Sequence, residues 1–466
     1  MPTAVYGRRK PSAPGHRTTI DGTSRALPPG PRGAVPGSIV LAFWRDPTGQ
    51  ILRIAQEHGD IASFRFGSEL EVLVNDPDGI RKVLVTDQRS FMKGQALQEA
   101  KRVLGAGLLT SEGEQHLRQR RSIQPIFHHR RIGTYGETMV DLADRLQSRW
   151  REGEQRDVHE DMTRLTLAIV GRTLFDADVE GEAREIGEAL NVALEAVNTL
   201  IYPFGHVWER LPLPGPRRFR QACARLDETI YRLIAERRAA GLTGDDLLSL
   251  LLLARDEGGG EGMSDRQVRD EAMTIFLAGH ETTANLLTWI WYLLSQHPDA
   301  ETRLHEELDR VVGGRLPVVT DLPALEYAER VIDEALRLYP PVWLFGRRAL
   351  VDYELAGYAI PRSSMVVLSQ WVTHHDPRWF PDPWRFDPDR WAPEEAARRP
   401  QYSFFPFGAG TRICIGEGFA RIEAKLVLAT IAGRWRLRLV PGHRVELRPR
   451  ITLRPRGGMP MVVARR

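Results

Sequence analysis

A glycine-rich loop near the end of the chain contains one cysteine and reads Phe407-Gly408-Ala409-Gly410-Thr411-Arg412-Ile413-Cys414-Ile415-Gly416. Gly408, Gly410 and Gly416 allow a tight loop with positive φ angles, and Gly416 can open the helix predicted over residues 416–433. We therefore expect Cys414 at a helix N-terminus beside Arg412, where the helix dipole and a cation favour the thiolate. A thiolate in this position is either a nucleophile or a metal ligand, whereas a lone cysteine without such neighbours is usually a small buried apolar residue.

The choice between nucleophile and metal ligand depends on a neighbouring base. A catalytic cysteine needs one, and the nearest histidines along the chain, His374 and His375, stand before a proline-rich stretch. Ligation of haem iron by a thiolate needs a protected, hydrogen-bonded loop and no base. Haem ligation by Cys414 is therefore the better interpretation.

The loop resembles the haem-binding signature of the cytochrome P-450 superfamily. That signature is Phe, two residues, Gly, one, Arg, one, Cys, one, Gly, and here every fixed position is matched by Phe407, Gly410, Arg412, Cys414 and Gly416. The resemblance implies haem b as the cofactor, Cys414 as the axial ligand of its iron, and Phe407, Gly408, Arg412 and Gly416 beside it.

Composition excludes several other classes of protein. The 466 residues contain 64 Lys+Arg against 61 Asp+Glu, so no broad basic field for nucleic acid is expected. Only Cys223 and Cys414 are present, which excludes a disulfide framework and a four-cysteine zinc site. No apolar run reaches about 18 residues and no secretory signal is found, so we expect a cytoplasmic protein without a membrane anchor.

The pattern along the chain predicts a mainly α-helical protein with a small β region. Residues 61–66 and 71–74 alternate as strands of a small sheet, residues 111–337 are mostly helical in pattern, and strand signals return after Pro340 and Pro341. We expect a mobile tail over residues 1–26 and a single haem domain over residues 27–466. The resemblance implies the cytochrome P-450 fold, with the haem between the long acid–alcohol helix and the cysteine-side helix.

An acid and an alcohol interrupt the long apolar helix predicted over residues 265–296, in the sequence Ala278-Gly279-His280-Glu281-Thr282-Thr283. Such groups are costly to bury without partners. By themselves they are equally consistent with Thr282 bonding back to the preceding turn and Glu281 facing solvent. The resemblance implies that Ala278 and Gly279 lie over the haem, that Gly279 leaves room for dioxygen, and that Glu281 and Thr282 are the catalytic pair that handles protons; His280 is interpreted as a spacer.

Glu334 and Arg337 lie three residues apart on the helix predicted over 326–338, so they share one face and can pair. Alone, such a pair is usually a surface salt bridge of little weight. The resemblance implies a third member, Arg390, from the segment Pro388-Asp389-Arg390-Trp391, which departs conservatively from the family pattern. The three residues are expected to fix the loop that carries Cys414.

The segment Ser111-Glu112-Gly113-Glu114 predicts a capping box that opens a helix carrying His116 and Arg120 at i,i+4 spacing. The resemblance implies that both contact a haem propionate, which an arginine can hold bidentately. It also implies a propionate-binding role for Arg347, or for Arg348 in its place.

The implied activity is insertion of one oxygen atom from O2 into a hydrophobic small molecule, with electrons from NAD(P)H through a separate ferredoxin or flavodoxin and its reductase. Arg118 and Arg121 are expected at the docking site of that redox partner. A haem-thiolate peroxygenase or isomerase, and a non-enzymatic haem sensor, remain alternatives.

The family layout implies a substrate pocket built from scattered, mostly apolar residues, with residues 200–218 as a lid. An apolar lining favours a hydrophobic substrate, for which a terpenoid or another secondary metabolite is our hypothesis. The expected lining residues are Leu97, Leu108, Leu109, Phe276, Val342, Trp343, Leu344, Phe345, Ile451 and Thr452.

Overall fold

The computed structural model describes residues 17–20, 23–31, 37–177, 183–202, 205–242, 246–253 and 263–466. The helices, in chain order, are α1 (Ser38–Arg45), α2 (Pro47–His58), α3 (Pro77–Arg81), α4 (Gln95–Leu104), α5 (Gly113–Ile123), α6 (His129–Gln147), α7 (Val158–Leu174), α8 (Ala183–Ile201), α9 (Gly205–Arg210), α10 (Pro214–Ala240), α11 (Leu247–Leu253), α12 (Asp265–Gln296), α13 (Pro298–Val311), α14 (Glu326–Leu338), α15 (Gln370–Thr373), α16 (Pro393–Ala396) and α17 (Glu417–Ala432). The strands are β1 (Arg17–Ile20), β2 (Thr23–Ala26), β3 (Ile61–Phe66), β4 (Glu69–Val74), β5 (Phe91–Lys93), β6 (Gln155–Asp157), β7 (Phe345–Ala349), β8 (Tyr353–Leu355), β9 (Tyr358–Ile360), β10 (Met365–Leu368), β11 (Trp435–Leu439), β12 (Leu447–Pro449), β13 (Leu453–Pro455) and β14 (Pro460–Arg465).

The chain divides into two compact units, each assembled from separate stretches of sequence. The sheet unit comprises Met1–Ala96, Val342–Arg385 and Ala397–Ile413, and the helical unit comprises Leu97–Pro341, Phe386–Ala396 and Cys414–Arg466. The single domain expected over residues 27–466 stays a prediction.

The sheet unit is built around a five-stranded mixed sheet in the order β3-β4-β10-β7-β5. β3 and β4 form the predicted hairpin, with Ile61 opposite Val74, and β4 pairs in parallel with β10. The apolar core of this unit includes Val72, Val366 and Phe91, all 1 % exposed or less. Leu73 and Val367, the neighbours of Val72 and Val366 along β4 and β10, are buried too, so these central strands are covered on both faces and do not show the alternation in burial that the sequence predicts.

The helical unit is organised around α12, which packs against α7, α10, α14 and α17. The Ser264 side chain caps the start of α12 by accepting the N–H of Gln267, and Pro298 begins the next helix directly after its end. The predicted bounds of α12 and α14 are confirmed, and Gly416 and Gly433 flank α17 as expected. No helix in the described ranges is long and apolar enough to cross a bilayer.

Most of the tail predicted over residues 1–26 lies outside the described residues. The part that is described forms a short antiparallel ladder in which Arg17 pairs with Ala26, so regular backbone begins before residue 27. Mobility of this tail stays a prediction.

Candidate active site

The glycines of the cysteine loop (residues 407–416) have different roles. Gly408 and Gly410 have positive φ values of 74° and 70°, as predicted. A Cβ on Gly410 would lie 2.0 Å from the Leu84 carbonyl oxygen, so this position also needs glycine for close approach. At Gly416 the expectation of a positive φ is wrong: its φ is −90° because it is the N-cap of α17.

Side chains of the cysteine loop fasten it to the segment before β5 within the sheet unit. The Thr411 hydroxyl donates to Gln88 Oε1 at 2.5 Å, and Arg412 Nη1 donates to the Phe91 carbonyl at 3.1 Å. Phe407 is half-buried. Two hydrogen bonds and a close backbone contact thus hold the loop that leads into Cys414.

Cys414 stands at the start of α17, in the helical unit. Its side chain is exposed, yet protein atoms surround the sulfur closely enough that lost solvation raises the pKa of the thiol. The N–H groups of Gly416 and Glu417 and the charge of Arg120 act in the opposite direction and lower that pKa. Arg120 is therefore a cation that favours the thiolate, and burial together with the negative charge of Glu417 outweighs these groups. The expected position of Arg412 beside the sulfur stays a prediction.

This donor set suits a haem-thiolate site. Two main-chain donors and a cation directed at one sulfur stabilise negative charge on it, which is the condition for a thiolate that binds iron. Among the described residues, no cluster of three or more His, Cys, Asp or Glu side chains offers another metal site. The residues present thus fit haem ligation by Cys414.

His116 and Arg120 lie on α5, one turn apart. Burial lowers the pKa of Arg120, and the negative charge of Cys414 partly offsets this, so an additional carboxylate nearby would stabilise the guanidinium. His116 is 4 % exposed. The helix begins at Gly113 with Glu112 as its N-cap and no side-chain capping hydrogen bond, so the predicted capping box is not formed.

The two candidate propionate ligands of the sheet unit, Arg347 and Arg348, are neighbours on strand β7 and their side chains face opposite sides of it. Arg348 donates to both carboxylate oxygens of Glu69, at 3.1 and 2.9 Å. Arg347 is 7 % exposed, and its guanidinium lies 4.8 Å from the centre of the Phe345 ring. Since neighbouring residues of a strand face opposite sides, the ion pair with Glu69 leaves Arg347 as the stronger candidate.

In the acid–alcohol segment, one face of the otherwise buried helix α12 is accessible. Ala278 is exposed and Thr282 is half-exposed, whereas almost all residues around them on the helix are buried. The Thr282 hydroxyl donates to the Ala278 carbonyl of the preceding turn at 2.9 Å. A Cβ on Gly279 would lie 3.0 Å from Val170 of α7, so this glycine permits close helix packing.

The Glu281 side chain is buried and does not face solvent, since the residue is only 7 % exposed. Its Oε1 accepts a hydrogen bond from the Thr452 hydroxyl at 2.6 Å and lies 3.9 Å from Arg454 Nη1. Its other oxygen, Oε2, is buried with no hydrogen-bond partner in the described part of the chain. An unsatisfied buried carboxylate oxygen can accept a further proton or donor, which suits a group that handles protons.

The neighbours of Glu281 on α12 are also buried. Asn285, one turn further on, is fully buried, and neither atom of its side-chain amide has a hydrogen-bond partner within the described ranges. His280 Nδ1 contacts the Phe276 carbonyl at 3.1 Å, and burial lowers the pKa of this imidazole. His280 therefore packs inside the helical unit, consistent with its interpretation as a spacer.

Glu334, Arg337 and Arg390 come together in a buried network. Arg337 donates twice to Glu334, at 2.8 Å each, and both side chains are fully buried, unlike a surface pair. Arg390 Nε lies 3.4 Å from Glu334 Oε1. Trp391 Nε1 and the Asp387 N–H also donate to the Glu334 carboxylate, at 3.0 and 2.9 Å.

Further ion pairs tie this region to the cysteine-bearing helix. Arg421 of α17 donates to Glu329 at 2.6 Å and to Asp333 at 2.8 Å, both on α14. Asp389 receives two hydrogen bonds from Arg303, at 2.6 and 2.8 Å. The α14–α17 contact thus connects the helix of Glu334 to the helix that follows Cys414.

The predicted pocket residues differ in their accessibility. In the helical unit Leu97, Leu109 and Ile451 are half-exposed, and in the sheet unit Val342, Leu344 and Phe345 are half-exposed. Four others are buried: Leu108, Phe276, Trp343 and Thr452. Of the predicted lid, residues 203–204 lie outside the described residues.

Two of these buried residues have contacts that the sequence did not predict. Phe276 is 1 % exposed and packs edge-on against Phe175, the C-cap of α7; its place in the substrate pocket stays a prediction. Thr452 donates to Glu281, which places it beside the proposed catalytic acid. Two further residues were not predicted from the sequence. Arg454 does not stand out because the chain is rich in arginine, and the role of the Trp391 indole is not indicated by any periodic pattern.

Comparisons with known proteins agree with this geometry. A sequence profile of the family described as Cytochrome P450 matches residues 28–459. A Streptomyces melanosporofaciens protein named "Cyclooctatin synthase" is 43 % identical over 427 residues, covering 90 % of this chain and 92 % of that protein. From the same organism, "Cyclooctat-9-en-7-ol 5-monooxygenase" is 40 % identical over 417 residues, covering 88 % of this chain and 90 % of that protein.

A solved structure shows the same fold. The crystal structure of a cytochrome P450DA heme domain superposes with a TM-score of 0.85 and is 29 % identical in sequence, covering 94 % of this chain and 98 % of that chain. With the family profile and two relatives above 30 % identity, this agreement extends over nearly the whole sequence. The chain therefore belongs to the cytochrome P450 family and is a monooxygenase whose cofactor is haem b.

Proposed function

We propose that this monooxygenase oxygenates a cyclic terpenoid, with electrons supplied from NAD(P)H by a separate ferredoxin or flavodoxin and its reductase. The observation that carries the oxygenation chemistry is on α12, where the accessible Ala278–Thr282 face lies beside buried Glu281. The substrate class is supported by a relative whose name specifies oxidation of an unsaturated alcohol, cyclooctat-9-en-7-ol, at position 5.

The site residues have distinct tasks in this proposal. When bound, haem b supplies an iron that activates dioxygen once two electrons arrive. Cys414 holds that iron, and Arg120, His116 and Arg347 hold the propionates. The buried network of Glu334 keeps the cysteine-bearing region in place through α14 and α17.

Proton handling falls to Thr282 and Glu281. Thr282 presents its hydroxyl on the accessible face of α12, where it can both donate and accept. Glu281 is oriented by Thr452 and Arg454, which leaves Oε2 available for a further proton. An acid with one oxygen held and the other open suits repeated proton transfer.

The redox partner is proposed to dock on the surface of α5. Arg118 and Arg121 are both exposed, and an open depression beside them is lined by Arg121, Gln124, Pro125, His128, Arg131 and Leu250. A surface with this many cationic groups fits an acidic partner, such as a ferredoxin or flavodoxin.

The docking site is tested with charge-reversal variants. We expect Arg118→Glu combined with Arg121→Glu to slow reduction by the partner, most strongly at low ionic strength. The control is Arg266→Glu combined with Arg310→Glu, which makes the same change in net charge at two other exposed positions. Equal reduction rates in the two double variants would exclude this docking site.

The substrate class is tested by spectral titration of the ferric protein with terpenoid alcohols and olefins, macrolactones, fatty acids and steroids. Binding beside the iron changes its spin state and shifts the main absorption band. We expect a saturable shift with the terpenoids and a product that carries one added oxygen when a reductase chain is present. A saturable shift with another class alone would contradict the terpenoid proposal, and turnover with peroxide alone would favour a peroxygenase.

The proton-handling role is tested with adjacent threonines. Thr282 and Thr283 both donate to a carbonyl of the preceding turn, at 2.9 and 3.4 Å, but only Thr282 is accessible, since Thr283 is 2 % exposed. We expect Thr282→Ala to lower the product formed per NAD(P)H consumed and Thr283→Ala to leave this ratio near that of the parent. Equal ratios in the two variants would contradict the role of Thr282.

A further inference from the structure

Three consecutive charged residues are buried in the second turn of α12. Arg269, Asp270 and Glu271 are 8, 5 and 0 % exposed. Burying charged side chains is costly unless each finds a partner of suitable geometry. The partners of this triplet therefore indicate what the charges stabilise.

The two carboxylates bind main-chain N–H groups of the segment between α4 and α5. The Ala106 N–H donates to Asp270 Oδ2 at 2.8 Å, and the Leu108 N–H donates to Glu271 Oε2 at 2.8 Å. Hydrogen bonds to ionised acceptors are among the stronger ones in proteins. Consecutive residues of one helix thus hold alternate amides in residues 103–109, which comprise the last two residues of α4 and the segment after them and which we call the 103–109 loop.

Arg269 completes the arrangement from the other side. Its Nη2 donates to the Val103 carbonyl at 2.8 Å, and its Nη1 donates to Asp270 Oδ1 at 2.9 Å. Its Nε donates to Asp227 of α10 at 2.7 Å. The guanidinium therefore links the start of the loop, the carboxylate that holds Ala106, and a second helix.

Two glycines allow the loop to approach α12 this closely. A Cβ on Gly107 would lie 2.4 Å from the Asp270 carbonyl oxygen and 2.3 Å from Thr274 Oγ1. Gly105 has a φ of 63°, and a Cβ there would lie 2.1 Å from the Asp270 carboxyl group. Because a main-chain carbonyl of a long buried helix does not give way, any larger residue at position 107 must displace the loop.

We propose that Asp270 and Glu271 are positioning residues that hold the 103–109 loop in one conformation and so determine which ligands the substrate pocket accepts. This inference rests on the proposed function insofar as Leu108 and Leu109 line that pocket. Neither carboxylate contacts the substrate in this proposal; both act through the loop backbone. Nothing in the oxygenation chemistry requires the buried triplet, whereas a preformed pocket wall does.

The physical effect is preorganisation. A loop already ordered in the free enzyme spares a ligand the cost of immobilising its side chains, which for two leucines corresponds to about a 5-fold or larger gain in affinity. Loosening the loop removes that gain for ligands large enough to touch it. Small ligands that reach only the iron are unaffected.

The test uses the holoenzyme and four variants. Glu271→Leu removes the acceptor of the Leu108 amide, Glu271→Gln restores a weaker one, and Gly107→Ala displaces the loop from the opposite side. Asp265→Asn is the matched control, because Asp265 is a carboxylate on the same helix whose side chain is 56 % exposed and pairs with Arg238.

Two measurements are made on each protein. Hydrogen–deuterium exchange followed by mass spectrometry reports opening of residues 103–109 and needs no substrate. Spectral titrations with imidazole and 4-phenylimidazole, both of which bind haem iron, report the affinity that the phenyl group adds. Neither measurement depends on the terpenoid assignment, so failure of that assignment is distinguishable from failure of this inference.

We expect Glu271→Leu and Gly107→Ala to raise exchange in the loop about 10-fold or more, since each removes or displaces a charge-assisted hydrogen bond. Both should lower the affinity ratio of 4-phenylimidazole to imidazole about 5-fold or more, Glu271→Gln should lie between them and the parent, and Asp265→Asn should match the parent. Unchanged exchange in Glu271→Leu would overturn the positioning role. Raised exchange with an unchanged affinity ratio, or equal effects in Asp265→Asn, would overturn the link to ligand selection.

Discussion

Replacing Thr452 with valine tests how Glu281 is held. Valine keeps the branched shape but removes the hydroxyl that donates to Glu281 Oε1 at 2.6 Å. Both residues are buried, at 5 and 7 % exposure, so water does not readily replace the lost donor. Since Oε2 has no hydrogen-bond partner in the described part of the chain, the variant leaves Arg454, 3.9 Å away, as the nearest compensating group.

The magnitude follows from the charge of the acceptor. A hydrogen bond to an ionised group contributes about 1.5–3 kcal/mol, and one to a neutral group about 0.5–1.5 kcal/mol. We therefore expect Thr452→Val to lower the free energy of unfolding by about 2 kcal/mol in the parent and by about 1 kcal/mol in a Glu281→Gln background. The coupling energy of the double-mutant cycle is then about 1 kcal/mol.

The assay is equilibrium urea unfolding of the holoenzyme followed by far-ultraviolet circular dichroism. Thr430→Val is the control, because the Thr430 hydroxyl is also buried but donates to a neutral carbonyl, that of Leu426, at 2.7 Å. In parallel, product formed per NAD(P)H consumed should fall in Thr452→Val and not in Thr430→Val. A loss below about 0.5 kcal/mol, or equal losses in the two Glu281 backgrounds, would refute the reasoning.

Three other perturbations test the elements around the site. Trp391→Phe keeps the ring but removes the 3.0 Å hydrogen bond to Glu334, so the free energy of unfolding should fall by about 1–2 kcal/mol in urea titrations; no change would show that the indole N–H contributes nothing. Gly410→Ala introduces a Cβ 2.0 Å from a main-chain oxygen at a φ of 70°, and should lower the haem-to-protein ratio after purification. Gly442→Ala, at a φ of 81° with nothing within 4 Å, has the same backbone strain without the clash and should retain haem. Burial and two neighbouring arginines lower the pKa of His305 from 6.5 to about 4. Between pH 6.5 and pH 4 this imidazole is therefore protonated in the unfolded chain but neutral in the folded protein. Stability should then fall by up to about 3 kcal/mol as the pH drops from 6.5 to 4, and His305→Gln should flatten that part of the stability curve.

Local signals were sufficient for the elements that carry the site. The apolar pattern and the break at His297-Pro298 predicted the bounds of α12, and Pro340 and Pro341 predicted the end of α14. The glycines and Arg412 around Cys414, together with the five matched positions of the family signature, were enough to predict haem ligation. These features depend on residues that are close together in sequence, so they can be predicted without knowledge of the tertiary structure.

The starts of two helices were predicted less well. Gly416 was expected at a positive φ, but it is the N-cap of α17 with a φ of −90°. A capping box was expected at residues 111–114, but α5 has Glu112 as its N-cap and no side-chain capping hydrogen bond. Capping depends on the backbone dihedral angles and on which side chain reaches a free N–H group, and the spacing of residue types does not specify either.

By itself, the sequence determined the helix that carries the acid and the alcohol, the loop that carries the cysteine, and the family to which both belong. Only the tertiary structure decided that Glu281 is held by Thr452, about 170 residues away along the chain, and that Asp270 and Glu271 bind the 103–109 loop. The physical reason is the partner each charge needs when it is buried. That partner comes from whichever segment packs against it, and no local pattern of residues specifies which segment that is.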